Sequence, residues 1–163
     1  MKNGKTSLST MVFVLLGVLL CFTLVGCGGA PKVNWEVTVT GEVETPLTLS
    51  YSDLVAMPQV DLTDVLMQKS LGEDEVTSWS GAPLEEIFKK AGAGNYSTIT
   101  ATAADGYAIE ISADEVEGGI IALKRDGDWI TKVEPDKGPI RMVCPQTPAN
   151  RWVFQIQGIQ LNP

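Results

Sequence analysis

Two arginines set beside apolar residues are the side chains of this chain that are best suited to hold a negative charge. Arg141 follows Pro139 and Ile140, and Arg151 directly precedes Trp152. A guanidinium group presents its N–H donors as a planar fork, so it binds a carboxylate or another anion through paired hydrogen bonds. Each arginine is therefore either a buried structural partner of a carboxylate or a contact for a bound anion.

Trp79 is a large aromatic residue in a segment of small and turn-forming residues. It lies in the segment 78–83, Ser-Trp-Ser-Gly-Ala-Pro, directly before an amphipathic stretch. Serine, glycine and proline are typical of loops, so this segment is predicted to be a loop. A tryptophan in that loop either fills the core, because tryptophan is highly buried on average, or lines a site where its ring stacks on a ligand.

The absence of histidine excludes several classes of site. The chain has no histidine among its 163 residues. Histidine is the base in Ser-His-Asp and Cys-His nucleophile arrangements and a common ligand of zinc and haem iron. Catalysis would have to rely on carboxylates, lysine or tyrosine, so a binding function is favoured over an enzymatic one.

The N-terminal residues have the pattern of a secretory signal. Lys2 and Lys5 precede an apolar run from Met11 to Val25, which is shorter than the roughly 20 residues that a membrane span needs. The run ends in Leu-Val-Gly-Cys27, which resembles the bacterial lipoprotein signal, where the chain is cut before a cysteine that is then lipidated. A plain secretory signal or an uncleaved anchor is the alternative.

This resemblance implies three regions and a location. Residues 1–26 are expected to be a lipoprotein signal peptide, residues 27–33 a tether carrying acyl chains such as palmitate on Cys27, and residues 34–163 one domain. Two or more acyl chains give durable anchoring. The domain is therefore expected on the extracytoplasmic face of the cell membrane, with the membrane as a partner through the lipid anchor.

The charge of the chain excludes one class of partner, and its cysteine content leaves one cysteine unpaired. Removal of the predicted signal takes away two lysines and no acidic residue, so the net charge of −8 becomes −10. Nucleic acid needs clustered basic residues and is not an expected partner. With Cys21 in the signal and Cys27 lipidated, Cys144 is left unpaired; it is predicted to be a small buried thiol, with metal ligation as the alternative.

Hydrophobic periodicity predicts a strand-rich domain with a few helices. Ser50 with Asp53, and Ser112 with Glu115, have capping-box spacing and predict two short helices. Leu84, Ile87, Phe88 and Ala91 predict a third helix, which begins near Pro83 and ends at Gly92. Alternating apolar residues predict strands at 35–41, 60–68, 98–103, 107–111, 120–123, 140–143 and 152–159. Strand runs with two or three separated helices favour an α+β fold with a mixed-sheet or barrel-like core.

Five short motifs occur in an order that resembles a known family. They are Trp-Glu-Val-Thr-Val-Thr-Gly at 35–41, Leu-Ser-Tyr-Ser-Asp-Leu at 49–54, Trp-Ser-Gly-Ala-Pro-Leu at 79–84, Asp-Gly-Tyr at 105–107, and Gly-Pro-Ile-Arg-Met-Val at 138–143 followed by Arg151-Trp152. Over about residues 34–161 the order is similar to that of the molybdopterin-binding domain of the sulfite oxidase family. The resemblance implies that fold and a pterin cofactor in a pocket among these loops.

The same resemblance assigns candidate site residues. Tyr107 aligns with a tyrosine near the family's reacting group, although it also fits a strand residue after a turn. Lys69, Arg141 and Arg151 are the basic residues near the positions that meet the cofactor's phosphate. With Trp79, these are the candidate ligand-binding residues.

One family residue is missing. The resemblance places a molybdenum-ligating cysteine at the end of the strand before the Trp79 segment, but residues 64–70, Asp-Val-Leu-Met-Gln-Lys-Ser, contain none. Thiolate is a soft, charged ligand that methionine, glutamine and lysine do not replace. We therefore expect no bound cofactor and a tethered module that binds a small anionic ligand or a protein partner. The alternative is a molybdopterin-dependent oxidoreductase or a redox-partner subunit.

Overall fold

The computed structural model describes residues 29–163, so the predicted signal peptide and Cys27 lie outside the described residues. The strands are β1 Glu36–Gly41, β2 Leu47–Ser50, β3 Val60–Met67, β4 Glu75–Pro83, β5 Thr98–Ala103, β6 Ala108–Ser112, β7 Ile120–Arg125, β8 Asp128–Trp129, β9 Arg141–Val143, β10 Val153–Phe154 and β11 Ile156–Asn162. The helices are α1 Tyr51–Ala56, α2 Leu84–Ala91, α3 Ala113–Val116 and α4 Ile130–Val133, with a 3₁₀ turn at Ala149–Arg151. Within residues 29–163, no helix has the length and hydropathy needed to cross a bilayer.

The strands form two open sheets. The first has the order β2-β1-β11-β5-β6, in which β1 and β11 are parallel and the other neighbours antiparallel. The second has the order β10-β9-β7-β4-β3, with β8 paired to β7. The α+β, strand-rich mixed-sheet prediction is confirmed. The barrel-like core is wrong, because each sheet ends in edge strands and does not close on itself.

Alternate residues of the central strand β7 face two separate apolar clusters. Ile121 and Leu123 face the main core, which also holds Val37 and Val39 of β1. Ile120 and Ala122 face a smaller cluster, together with Met67, Trp79, Ile130, Val143 and Trp152. The central strand of the second sheet is thus buried on both faces, and the burial of apolar surface, worth about 25 cal/mol per Å², stabilises it from both sides.

The helix predictions based on local patterns are confirmed. The four predicted apolar residues of α2 are buried, Pro83 is its N-cap, and Gly92 ends it in the left-handed conformation at φ 67°. At α1, the Ser50 N–H donates to the Asp53 carboxylate at 2.8 Å, and the Asp53 N–H donates to the Ser50 hydroxyl at 3.2 Å. These patterns depend on neighbours only a few residues apart, which is why sequence alone reveals them.

The Trp79 segment is a strand and not the predicted loop. It forms the second half of β4, which is paired on one side with β3 and on the other with β7. Its small residues permit a close approach of the neighbouring backbone: a Cβ on Gly81 would collide with the carbonyl oxygen of Ile121. Serine and glycine therefore indicate tight strand packing here, not a turn.

The predicted strand over 152–159 is divided in two. Gln155 adopts φ 49°, a left-handed conformation that interrupts the extended chain. Val153 and Phe154 pair with β9 in the second sheet, whereas β11 pairs with β1 and β5 in the first. The chain thus passes from one sheet to the other at this residue.

Candidate functional site

An open cavity of about 240 Å³ lies at one end of the second sheet. The β3–β4 hairpin forms one wall, and the residues around α4, β9 and the 3₁₀ turn form the other. Its charged lining residues carry four positive and two negative charges: Lys69, Arg125, Lys137, Arg141, Glu75 and Glu134. The remaining lining residues are Met67, Ser70, Ala149, Asn150 and Phe154. The cavity is therefore net cationic in a chain whose net charge is −8.

Arg141 forms the floor of this cavity and is almost completely buried, with 2% of its surface exposed. Its guanidinium carbon lies 3.8 Å from the ring centre of Phe154 and 4.6 Å from that of Trp79, so it is held between two aromatic rings. Its Nη2 donates to Glu134 at 2.8 Å, but its buried Nε has no hydrogen-bond partner within residues 29–163. Burial lowers the pKa of Arg141 to about 10, so the group remains charged at neutral pH.

Glu134 joins Arg141 to a second arginine. One carboxylate oxygen accepts from Arg141, and the other accepts from Nη1 of Arg125 at 2.8 Å. Arg125 also pairs with Glu75, and Glu75 pairs with Lys69 at 2.9 Å. The hydrogen bond from Lys69, together with the charge of Arg125, lowers the pKa of Glu75 below its usual value. The network fixes the two guanidinium groups and engages both carboxylates as hydrogen-bond acceptors.

Lys137 is the cavity's uncompensated cation. Its Nζ lies 5.3 Å from the ring centre of Phe154, on the same ring that Arg141 contacts. The ion pairs formed by the described residues do not include Lys137. Lys137 is an exposed residue, and no described carboxylate competes with an anion for its charge.

A second cavity of about 290 Å³ adjoins the first and shares Ala149, Asn150 and Phe154 with it. Tyr107 lies in this second cavity, with 47% of its surface exposed, and its N–H donates to Asp105 at 2.9 Å. Of the sequence-based candidates, the structure thus brings Lys69 and Arg141 into one cavity and places Tyr107 in its neighbour.

The structure places the other candidates outside the cavity lining. Trp79 is fully buried, donates from Nε1 to the Thr77 hydroxyl at 2.8 Å, and packs edge-to-face on Trp152 with ring centres 5.8 Å apart. It therefore supports Arg141 from below. Arg151 pairs with Glu115 at 3.0 Å and donates to the carbonyl of Glu110 at 3.1 Å.

Cys144 lies away from both cavities, in the main apolar core. Its side chain has no exposed surface, and burial raises the pKa of its thiol to about 12. A neutral thiol in apolar surroundings is a packing residue and a poor nucleophile or metal ligand. This placement matches the buried-thiol interpretation of the sequence.

The donor atoms of the cavity do not fit a thiolate-ligated molybdenum centre. Met67 supplies a thioether to the wall near the position where the family resemblance puts a cysteine, and Cys144 lies elsewhere. Residues 29–163 contain no group of three or more cysteine, histidine or carboxylate side chains that converge on a metal. The arginines and lysines fit an oxyanion, such as a phosphate or carboxylate group, at the other end of such a cofactor or on its own.

Four charged lining residues were missed by sequence reasoning: Glu75, Arg125, Glu134 and Lys137. Arg125 and Glu134 are separated by a β-turn and the short helix α4, so no periodic pattern brings them together. The sequence feature that pointed to these residues is the position of Arg125, Lys137 and Arg141 near predicted strand ends. That feature alone does not distinguish basic residues that line a cavity from basic residues exposed to solvent at the edge of a sheet.

Comparison with known proteins agrees with this fold. The family described as "oxidoreductase molybdopterin binding domain" matches residues 28–163. A nitrate reductase [NADH] of Volvox carteri is 26% identical over 77% of this chain and 19% of its own length. The sulfane dehydrogenase SoxCD of Paracoccus pantotrophus has the same fold at a TM-score of 0.68 and 18% identity, over 82% of this chain and 40% of that one.

The matches cover most of this chain but only part of each relative. This chain spans only a minor part of each relative, so the activities of those whole proteins are not carried over. The structural match at low identity concerns the fold, and it confirms the predicted sulfite oxidase-type architecture. Because the family match covers residues 28–163, the chain belongs to the oxidoreductase molybdopterin binding domain family.

Proposed function

We propose that this chain is a membrane-tethered, extracytoplasmic binding module that holds a small anion in the cavity around Arg141 and carries no thiolate-ligated molybdenum. The observation that supports this most directly is Arg141 itself: a buried guanidinium at a cavity wall whose Nε has no partner. A buried charge whose hydrogen bonds are incomplete is unfavourable, and an anion bound at this wall would offset the positive charge of the guanidinium.

The charge balance of the cavity supports an anionic ligand. Two carboxylates face four cations there, and both carboxylates are already committed to arginine or lysine partners. An excess positive charge next to apolar rings attracts an anion more strongly than the same charge does in open water. The acidic remainder of the chain confines this attraction to the cavity.

Binding, and not catalysis, is the proposed role, because both carboxylates of the cavity are engaged in ion pairs with arginine or lysine. Both oxygens of Glu134 already accept hydrogen bonds from guanidinium groups, and the lowered pKa of Glu75 makes that carboxylate unsuited to take up a proton near neutral pH. Phe154 separates Arg141 from the cavity that Tyr107 lines.

Anion binding is tested by calorimetry on the purified full chain with sulfate and phosphate as probes. Lys137→Met removes the uncompensated cation from an exposed position, so we expect the fold to persist and the affinity to fall at least fivefold. The matched control is Lys132→Met, because Lys132 is an exposed lysine that pairs with Asp128 outside the cavity. Equal affinities in the two variants, or no binding at millimolar anion, would refute the proposal.

The alternative hypothesis, that the chain binds molybdopterin, is tested by measuring its metal and pterin content. The full chain, purified from a host that makes molybdopterin, is assayed for molybdenum by elemental analysis and for pterin by fluorescence. We expect far less than one molybdenum per chain, because the cavity lacks a thiolate. A stoichiometric metal content would replace the binding module with the oxidoreductase alternative.

The lipid anchor is tested separately from the cavity. Cells expressing the full chain are labelled with a palmitate analogue, and the chain is recovered and fractionated. We expect label and membrane association in the natural chain and loss of both in Cys27→Ser. Label that persists without Cys27 would exclude that residue as the lipidation site.

A further inference from the structure

The far end of the β3–β4 hairpin carries three apolar side chains that the fold leaves exposed. Leu71, in the connecting turn, is 89% exposed, Val76 is 60% exposed and Leu66 is 49% exposed. Leu66 and Val76 are cross-strand partners, so their side chains lie side by side on one face. We call these three residues the hairpin platform.

Leu66 and Val76 of the platform lie on the opposite face from the cavity wall of the same hairpin. Side chains alternate along a strand, so Met67 and Thr77, which follow Leu66 and Val76, point the other way and are buried. Met67, Lys69, Ser70 and Glu75 line the cavity. One hairpin end therefore forms a wall of the cavity and a separate apolar surface beside it.

Hydrogen bonds hold the platform in place. The Lys69 N–H donates to the Asp74 carboxylate at 3.0 Å, which closes the turn that carries Leu71. The Ala149 N–H donates to the carbonyl of Gln68 at 3.1 Å and fastens the turn to the 3₁₀ segment. A surface that is ordered before binding loses less conformational freedom when a partner docks.

The edge of β3 is built to resist strand addition, so docking must use side chains. The register with β4 shifts between Leu62 and Val65, and Asp64 adopts φ 53° there. The Asp64 N–H is satisfied by the Ser78 hydroxyl at 3.2 Å. Bulges of this kind prevent an extended chain from pairing with the edge.

The charges around the platform define what it fits. Asp64, Glu73 and Asp74 are exposed beside it, while the neighbouring Lys69 is paired with Glu75. An apolar surface with an acidic border is complementary to an apolar surface with a basic border. In a second copy of this chain the same three apolar residues have the same acidic border, and the net charge is −8, so two platforms would repel each other.

We propose that the hairpin platform is a docking site for a protein partner whose apolar contact surface is bordered by lysine and arginine. The partner would cover one flank of the hairpin whose other flank lines the cavity. This site is separate from the anion site and does not depend on it.

The test begins with capture of the partner by the full chain. A photo-crosslinking residue replaces Leu71, or Val133 as a control, because Val133 is 43% exposed and lies outside the platform. The protein captured at position 71 is then purified, and its affinity is measured for the full chain and for Leu71→Glu, Val76→Glu and the matched Val133→Glu. Circular dichroism melting verifies that each variant is folded.

We expect Leu71→Glu and Val76→Glu to weaken binding at least tenfold, and Val133→Glu to change it less than twofold. Raising the salt concentration from 50 to 300 mM is expected to weaken binding several-fold, as charge complementarity requires. Three results would overturn the proposal: equal capture at positions 71 and 133, equal effects of Val76→Glu and Val133→Glu, or an adduct that is another copy of this chain. Anion binding measured on the same variants remains an independent result.

Discussion

At the scale of single residues, Arg141 combines the two roles that its sequence position left open. It is a buried partner of Glu134, and it lines a cavity with an unpaired Nε. Sequence position identifies such an arginine, because a guanidinium next to an apolar strand must find an acceptor. It does not identify the acceptor, because Glu134 reaches Arg141 only through the geometry of α4 and β9.

The contribution of the shared Glu134 carboxylate to the stability of the fold is measured with the variant Glu134→Gln. This change leaves two largely buried guanidinium groups, 2% and 16% exposed at Arg141 and Arg125, without their common anion. We expect the free energy of unfolding to fall by about 3 kcal/mol in urea denaturation. Asp128→Asn is the control: it removes an exposed ion pair and is expected to change stability by less than about 0.5 kcal/mol. A similar loss in both variants would show that Glu134 has no special role.

A substitution at Tyr51 is expected to increase the stability of the fold. Its ring is buried, with 2% of its surface exposed, and its hydroxyl has no hydrogen-bond partner within residues 29–163. Tyr51→Phe removes an unsatisfied polar atom and preserves the ring, so we expect thermal or urea unfolding to show a gain of about 1 kcal/mol. The partly exposed Tyr96, changed to phenylalanine, is expected to show no such gain. A destabilised Tyr51→Phe would mean that the hydroxyl has a partner in solution.

At the scale of elements, β4 shows how tertiary packing overrides local propensity. Ser-Gly-Ala-Pro is a typical turn composition, yet these residues form a strand between β3 and β7. The same small side chains permit both structures, and only the presence of two neighbouring strands decides between them. Helix α2 was predictable because its apolar stripe and its glycine C-cap are local features.

Gly81→Ala tests the close approach in this sheet. The added methyl group would collide with the carbonyl oxygen of Ile121, and backbone atoms cannot move aside as a flexible side chain does. We expect a loss of more than about 3 kcal/mol, or failure to fold, in chemical denaturation. In Gly158→Ala the nearest neighbour is the Cβ of Thr102 at 3.7 Å, an ordinary contact, so the loss should stay within about 1 kcal/mol. Comparable losses would argue against a tight β4–β7 contact.

At the scale of the whole molecule, the fold class was predictable and the cavity was only partly so. Motif order along the chain identified the family architecture, since strands and turns occur in a fixed sequence. The two sheets were not separable from the sequence, because the change of sheet depends on the backbone of a single residue, Gln155. The cavity is assembled from four regions of the chain, so only Lys69 and Arg141 were identified in advance.

The buried thiol makes the stability of the whole domain sensitive to alkaline pH. Burial raises the pKa of Cys144 from 9.0 to about 12 in the folded chain, so between these values the folded state binds a proton that the unfolded state has lost. The stabilisation is complete below pH 9 and decreases as the pH rises, with a limiting slope of about 1.4 kcal/mol per pH unit. Unfolding is best compared between pH 9 and 10, below the range in which Tyr51 and Arg141 contribute.

The expected result is a free energy of unfolding that declines over that interval in the natural chain and stays nearly constant in Cys144→Ala. Urea denaturation at several pH values provides the measurement. Parallel declines in the two proteins would assign the effect to other groups.

The parallel pairing of β1 with β11 has a consequence for how the protein is made. Thr38 lies opposite Gly158, so the central ladder of the first sheet joins the beginning of the domain to its final strand. Contacts so distant in sequence raise the contact order, and such topologies fold slowly. A nascent chain that emerges residue by residue can pair β1 with β2 early, but the other edge of β1 stays unpaired until residues 156–162 have emerged, and during that interval this open strand edge is exposed to aggregation.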